Sequence, residues 1–344
     1  MPDSRRQLLV RADAGVRIGT GHVMRCLALA QGWAQAGGQV TFAMAGTSPA
    51  LGARLQREGF AVVELGVEPG GAADAAATRR LATELPAAWV IADGYAFGAG
   101  WQEQVRAAGT RLAVLDDWGH AERYFADLIL NQNVLADPQW YGRREGSCRL
   151  ALGPGYALLR REFLTWSGRA RPHPALAARV LVTLGGSDPA NVTQAVLANL
   201  RQVAGIEVVL VVGGNNPHRG ALEAFVQECN AATPWVRLVA DATNMPELMA
   251  WADVAVSAGG STLWELAYMG LPALVLVLAD NQLPASRALD AAGIAQWLRA
   301  PADLPGALAA LLPDQARRQA MSDAARRMVD GRGVARVLEQ LEAA

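Results

Sequence analysis

Ile18-Gly19-Thr20-Gly21-His22-Val23-Met24-Arg25 follows the apolar run Leu8-Leu9-Val10 and opens an apolar-periodic segment that reaches Trp33. That order reads as strand, glycine turn, helix, the repeating unit of a parallel sheet. The turn places an imidazole at a helix entrance, where backbone amides lack intrahelical partners and the helix dipole is positive. Such a place suits an anionic or electron-rich ligand, and a neutral imidazole there, that of His22, is a ready base. From this turn alone, two glycines closing a tight βα turn beside a solvated capping histidine account for the same residues.

Outward from the turn, short apolar runs alternate with helical-period segments. Leu8–Ala12, Val40–Ala45, Ala61–Leu65, Trp89–Ala92, Leu112–Leu115 and Leu128–Leu130 read as strands in the first half. Val180–Leu184, Val208–Val212, Val236–Val239, Val254–Ser257 and Ala273–Leu278 do so in the second. This alternation predicts an α/β fold of two Rossmann-like, doubly wound parallel sheets, because parallel strands need crossover helices that cover both faces. Between the halves, around Ser167 to Arg179, the character changes to Ser-Gly-Arg-Ala-Arg-Pro-His-Pro and then Ala-rich sequence, which reads as a linker. The expected domains are therefore 1–168 and 178–344, with their sheets facing one another across a cleft. The amphipathic segment from Pro313 to Leu341 reads as a packing or crossover helix.

Composition removes several function classes. At 344 residues the chain is too long for one small core, and 31 basic against 32 acidic residues leave no electrostatic footprint for nucleic acid or an anionic membrane. Every basic residue is Arg, so Schiff-base chemistry and a Walker-type lysine are absent, and phosphate must be held by Arg or by backbone amides. Cys26, Cys148 and Cys229 are far apart, and the four histidines show no metal-ligand spacing, so neither a disulfide framework, a metal site nor a cofactor is predicted. Met1 to Gln7 lacks a signal-peptide apolar core, and the longest apolar run, Leu271 to Ala279, is broken by Pro272. A soluble cytoplasmic protein without membrane insertion is expected.

In open α/β sheets ligands gather at the carboxyl ends of strands, which selects the candidates. The first strand ends in Arg11-Ala12-Asp13 ahead of Gly19, Gly21, His22 and Arg25; Asp13 shares the loop with His22 and is a candidate to orient its ring or a water. Asp93-Gly94-Tyr95 and Asp116-Asp117-Trp118 end two further strands, where capping and loop hydrogen bonds compete with catalysis as explanations. Asn131 and Asn133 place amides where sugar hydroxyls or N-acetyl groups are read, and turns use asparagine equally well. In the second half Gly185, Gly186, Ser187 and Asp188 form an anion-tolerant turn. Ser257-Ala258-Gly259-Gly260-Ser261-Thr262 leads into a helix whose Glu265 is placed to accept hydroxyl hydrogen bonds from a ribose, the amides of Gly260, Ser261 and Thr262 being suited to a diphosphate. Asn281 and Gln282 follow the next strand.

Read together, Arg11-Ala12-Asp13, Ile18-Gly19-Thr20-Gly21-His22-x-x-Arg25, Asp116-Asp117, Leu130-Asn131-x-Asn133, Gly155-Tyr156-Ala157-Leu158-Leu159-Arg160-x-Glu162-Phe163, Gly185-Gly186-Ser187-Asp188 and Ser257-Ala258-Gly259-Gly260-x-x-x-x-Glu265 resemble the PseG family, the UDP-sugar hydrolases of pseudaminic acid biosynthesis, within the MurG-like glycosyltransferase-B group. The resemblance spans nearly the whole chain. It implies a glycosyltransferase-B architecture and a metal-independent, inverting hydrolysis of UDP-2,4-diacetamido-2,4,6-trideoxy-β-L-altropyranose to free sugar and UDP. It also implies His22 as the base that activates water and the Gly259 to Glu265 segment as the UDP cradle; without a metal, the amides near Gly260 and Arg25 or Arg17 are the candidates to neutralise the leaving group. Tyr156 and Arg160 enter as substrate-binding candidates on the same footing. The chain departs from the family's Asp-His-Tyr at Asp93-Gly94-Tyr95. A glycosyltransferase using the same donor, a UDP-sugar 2-epimerase and a non-catalytic nucleotide-sugar sensor are the competing readings.

Overall fold

A computed structural model describes residues 7–15, 19–46, 49–107, 109–186, 188–214 and 216–343. The chain divides into two compact units: the first holds His22–Arg161 with residues 7–15 and 331–343, the second Glu162–Asp330 with residues 19–21.

The first unit runs β1 (Gln7–Ala12), α1 (Gly21–Gln35), β2 (Gln39–Met44), α2 (Pro49–Arg57), β3 (Ala61–Glu64), α3 (Ala72–Glu84), β4 (Ala87–Asp93), α4 (Ala99–Arg106), β5 (Arg111–Leu115), β6 (Leu128–Asn131) and β7 (Arg149–Leu152). Its strands are all parallel in the order β3-β2-β1-β4-β5-β6-β7. Alternation along β1 supplies one core on each face. Leu8 and Val10 join α1 on one side, and Leu9 packs with residues of α3 and α4 on the other. Burying each such side chain completely contributes about 1.5–3 kcal/mol. Arg11 takes the α3 side by the same alternation, and is fully buried there against Asp74 of α3, with Nε to Oδ1 at 2.9 Å and Nη2 to Oδ2 at 3.1 Å.

The short α5 (Arg161–Leu164) carries the chain from one unit to the other. The second unit then runs β8 (Arg179–Thr183), α6 (Val192–Leu200), β9 (Glu207–Val212), α7 (Arg219–Cys229), β10 (Val236–Ala240), α8 (Met245–Trp251), β11 (Val254–Ala258), α9 (Thr262–Met269), β12 (Ala273–Leu276), α10 (Leu283–Ala291), β13 (Ala295–Leu298), α11 (Leu304–Leu311) and α12 (Gln315–Met328). The sheet order is β10-β9-β8-β11-β12-β13, again wholly parallel. Both sheets are doubly wound as expected.

Two expectations change. The final amphipathic segment is broken at Val329, where the backbone turns extended, into α12 and α13 (Gly333–Glu342). A C-terminal domain over 178–344 therefore carries one helix too many. Val334, Val337 and Leu341 of α13 belong to the first unit's core, and Trp89 of β4 donates its indole N–H to the carbonyl of Leu341 at 3.2 Å. The boundary before β8 also moves, to Arg161/Glu162. Among the described residues no helix is long and apolar enough to cross a membrane.

Candidate active site

The sheet order turns at β1 and β4, which lie side by side although the chain builds β2 and β3 between them. A crevice opens at the carboxyl ends of strands at such a point, because the crossovers leave in opposite directions. The register pairs Ala12 with Asp93, so the last residue of β4 stands beside the loop that leads into α1. Gly19 in that loop has φ +69°, and α1 starts at Gly21 with His22 as its second residue.

His22 Nδ1 lies 2.6 Å from Asp93 Oδ1. One turn further along α1, Arg25 grips the same carboxylate with two donors, Nε to Oδ2 at 2.6 Å and Nη2 to Oδ1 at 2.7 Å. It also donates to Asp117 through Nη1 at 2.7 Å and Nη2 at 3.2 Å. The Tyr95 hydroxyl donates to Asp117 Oδ2 at 2.8 Å, and Asn133 Nδ2 to Asp117 Oδ1 at 3.2 Å. Five sequence candidates thus form one network, His22, Arg25, Asp93, Tyr95 and Asn133, joined by Asp117.

Burial alone would raise the Asp93 pKa. The Arg25 guanidinium and the His22 ring outweigh it and hold this fully buried carboxyl well below the ordinary carboxylate range. An ionised Asp93 accepts a hydrogen bond from Nδ1–H, the tautomer that leaves the Nε2 lone pair of His22 available. Although the Tyr95 side chain is well exposed, its hydroxyl end is desolvated against Asp117, and that desolvation, followed by the Asp117 charge, pushes the phenol well up, so Tyr95 stays a hydrogen-bond donor. The Cys26 thiol is fully buried, and burial and Asp93 raise it likewise, which favours the protonated form.

Asp13 stands apart from this network. Its Oδ1 accepts the Ala45 amide at 2.6 Å and meets Arg11 Nη1 at 2.7 Å, so the carboxylate that orients His22 is Asp93. Asn131 is fully buried behind Asn133, with Nδ2 donating to the Tyr141 hydroxyl at 2.8 Å and Oδ1 accepting the Asn133 amide at 2.9 Å. Tyr156 is half-buried against the first core and Arg160 is buried. At Gly94, where the chain departs from Asp-His-Tyr, φ is +151° and a Cβ would approach the Phe97 ring to 3.1 Å, so a side chain there would be strained in this turn.

Asp116 and the turn after β5 complete the first unit's site. Its Oδ1 accepts the amides of Trp118 and Gly119, both at 2.7 Å, and Oδ2 meets His120 Nδ1 at 2.7 Å and the Tyr124 hydroxyl. Burial raises its pKa, but the imidazole, the phenol and the Gly119 amide pull it down to about 2. A folded pKa below the unfolded one means stability that is present above pH ~4 and lost as pH falls toward about 2, worth about 2 kcal/mol. Asp116→Asn should therefore lower the urea midpoint at pH 7 and differ much less from the parent at pH 2.5. An equal deficit at both pH values would contradict this.

The second sheet turns between β8 and β11. After β8, Gly185 has φ +93°, and Asp188 accepts the α6 amides of Val192 at 2.9 Å and Thr193 at 2.8 Å. Asp188 thus already caps the helix that this turn was expected to offer to an anion, and Gly185 and Gly186 are left as backbone lining. After β11, Ser257 is buried and the Gly259 amide is bonded to the Leu276 carbonyl at 3.2 Å. A Cβ on Gly259 would sit 2.7 Å from Ser286 Oγ and 2.9 Å from Gln282 Cβ, so only glycine admits α10 this close. The amides of Gly260, Ser261 and Thr262 have no backbone acceptor among the described residues and open the N-terminus of α9, with Glu265 in its first turn. Gln282 Oε1 accepts the Leu278 amide at 3.0 Å, which makes Gln282 a brace of this loop, and Asn281 beside it is exposed. Arg17, Ile18 and Ser187 lie outside the described residues.

Sequence reasoning placed Asp117 and Trp118 at a strand end without giving either a role in the site, and did not single out His120. The acidic pair after β5 was the available signal, and only the side-by-side placement of β4 and β5 joins it to His22.

Residues 180–339 match the glycosyltransferase family 28 C-terminal domain. The chain is 28% identical over 237 residues to the spore coat polysaccharide biosynthesis protein SpsG of Bacillus subtilis, covering 63% of this chain and 65% of that protein, less than two thirds of its length. It is 25% identical over 245 residues to the UDP-2,4-diacetamido-2,4,6-trideoxy-β-L-altropyranose hydrolase of Campylobacter jejuni, covering 71% of this chain and 81% of that one. In fold it is similar to the crystal structure of Acinetobacter baumannii MurG, with a TM-score of 0.64 at 16% identity over 98% of this chain and 100% of that one. Two parallel-sheet α/β domains of the glycosyltransferase-B type, the second matching family 28, are therefore the architecture of this chain.

Proposed function

We propose that this chain hydrolyses a UDP-linked 2,4-diacetamido-2,4,6-trideoxy sugar to free sugar and UDP, with inversion at the anomeric carbon. The observation that carries the reading is the His22–Asp93 pair: a buried, ionised carboxylate fixes Nδ1–H and leaves Nε2 to take a proton from water. Asp93 also offsets the positive charge that the ring acquires when it does so. The Campylobacter relative supplies the substrate class. In the second unit the amides at the start of α9, which have no backbone acceptor among the described residues, suit the charge that develops on departing UDP, and Glu265 on the same turn suits the ribose hydroxyls. His22 and Arg25 take the roles of base and scaffold, Tyr95 and Asn133 line the sugar side, and Asp13 shapes the loop.

The family 28 match favours a second reading, in which the same base deprotonates an acceptor hydroxyl and the sugar is transferred. Proton NMR of the purified protein with UDP-2,4-diacetamido-2,4,6-trideoxy-β-L-altropyranose separates the two. Free sugar released first as the inverted anomer, in step with UDP, is the expected result. UDP binding without release of free sugar would overturn the hydrolase and leave the transferase standing.

A further inference from the structure

Two large aromatic side chains stand open to solvent beside His22. Tyr95 is 41% and Trp118 51% exposed, and their rings meet edge to face with centroids 5.7 Å apart. Tyr95 in turn meets the His22 ring edge to face at 5.2 Å, so the indole lies one ring away from the base. The Tyr95 side chain and the backbone that carries Trp118 are both anchored. The Tyr95 hydroxyl is tied to Asp117, itself held by Arg25, and the Trp118, Gly119 and His120 amides all point at the buried Asp116 carboxylate. Asp116 thus holds in place a turn that presents half an indole to water beside the Tyr95 ring, an apolar surface whose backbone is already ordered.

Resting on the reading of His22 as the base, we infer that Trp118 is a specificity-determining residue of the sugar site, selecting the C–H and methyl side of a deoxygenated, N-acetylated pyranose. In that reading the attacking water lies at His22 Nε2 with the anomeric carbon just beyond it and UDP departing from the opposite face, so the group within reach of the neighbouring rings is the sugar and not the nucleotide. An indole gains most from methyl and C–H groups and little from hydroxyls, which it cannot accept hydrogen bonds from in its plane and can donate to only through Nε1. A 6-deoxy sugar with two acetamido groups presents three methyls; a hydroxymethyl sugar such as N-acetylglucosamine presents one.

The test has two arms. In steady-state kinetics with the UDP-diacetamido-trideoxy sugar, Trp118→Ala should raise KM about 10-fold or more, the discrimination one apolar contact provides. Trp118→Phe should recover most of that loss, and inhibition by UDP should be unchanged in both. An unaltered KM, or an equal loss of UDP affinity, overturns the inference. The second arm measures tryptophan fluorescence in the His22→Ala background, where the sugar stays attached. Addition of the UDP-sugar, but not of UDP, should quench emission, and the quench should vanish when Trp118 is also Phe. A quench that survives Trp118→Phe, or equal quenches by UDP and the UDP-sugar, overturns it. If the parent protein fails to hydrolyse the sugar but the Trp118-dependent quench is present, the hydrolase reading falls and this one stands; hydrolysis with an unchanged KM in Trp118→Ala sinks only this one.

Discussion

His22→Ala is expected to lower kcat by about 10²–10⁴-fold, the usual contribution of a positioned general base, while UDP affinity stays essentially unchanged. The selectivity of the effect follows from what the ring touches. Its Nδ1 is bound to Asp93 and its edge packs on Tyr95, and both of those residues keep their other partners when the imidazole is removed. Asp93 retains both bonds from Arg25, so no buried charge is left unpaired and the fold should lose little stability. The groups proposed for UDP stand on β11 and α9, in the other unit. UDP release in a coupled assay and UDP binding by calorimetry are the two measurements. Turnover within about tenfold of the parent would place the base elsewhere, and lost UDP affinity with normal turnover would reverse the division of roles.

The fold was legible because central strands are buried on both faces and therefore read as unbroken apolar runs. The two strands not anticipated, β7 and β13, each lie at one edge of their sheet, while the opposite edges, β3 and β10, were anticipated. β7 and β13 are each four residues long and only partly buried, as Arg149-Leu150-Ala151-Leu152 and Ala295-Gln296-Trp297-Leu298, so neither carries the continuous apolar signal that a central position imposes. The return of α13 to the first core was not legible in outline either, since its amphipathic face fits any apolar surface.

The site divided along the same line. His22 and Arg25 were readable because their position depends on a local event, a glycine turn opening a helix. The partner of His22 was not, because the choice among Asp13, Asp93, Asp116 and Asp117 depends on strand order. Proximity in sequence favoured Asp13, nine residues away in the same loop. The pairing of β1 with β4 instead brings Asp93 alongside, across 71 residues, while Arg11 draws Asp13 toward the end of β2. Gly94 belongs to the same class of information: its positive φ, which disfavours a side chain after Asp93, is a property of the folded turn.

Asp93→Asn should cost as much activity as the loss of His22, about 10²–10⁴ in kcat, because a histidine whose orienting carboxylate is gone samples the wrong tautomer. Four donors converge on the two oxygens of Asp93: His22 Nδ1, Arg25 Nε and Nη2, and the Cys26 thiol at 3.5 Å. An amide offers one oxygen. If that oxygen faces His22, the new NH2 meets Arg25 Nε, donor against donor; if it faces Arg25, the NH2 meets Nδ1 and selects the tautomer with hydrogen on Nε2, which cannot take a proton from water. Either choice also leaves a guanidinium in the interior with Asp117 as its remaining charged partner among the residues described, at a cost of about 3 kcal/mol. Stability and catalysis are separable by the imidazole itself. Nitrogen-15 NMR of His22 should show hydrogen on Nδ1 in the parent and a shift toward Nε2–H in the variant, at a temperature where both are folded. The depressed pKa of Asp93 adds a sign: its stabilising charge is complete above the unfolded value near pH 4 and is lost only on further acidification, so a fall in kcat between pH 8 and pH 5 does not come from Asp93. A variant that is destabilised but retains parental kcat and an unchanged His22 tautomer would reduce Asp93 to an anchor for Arg25 and remove the dyad from the mechanism.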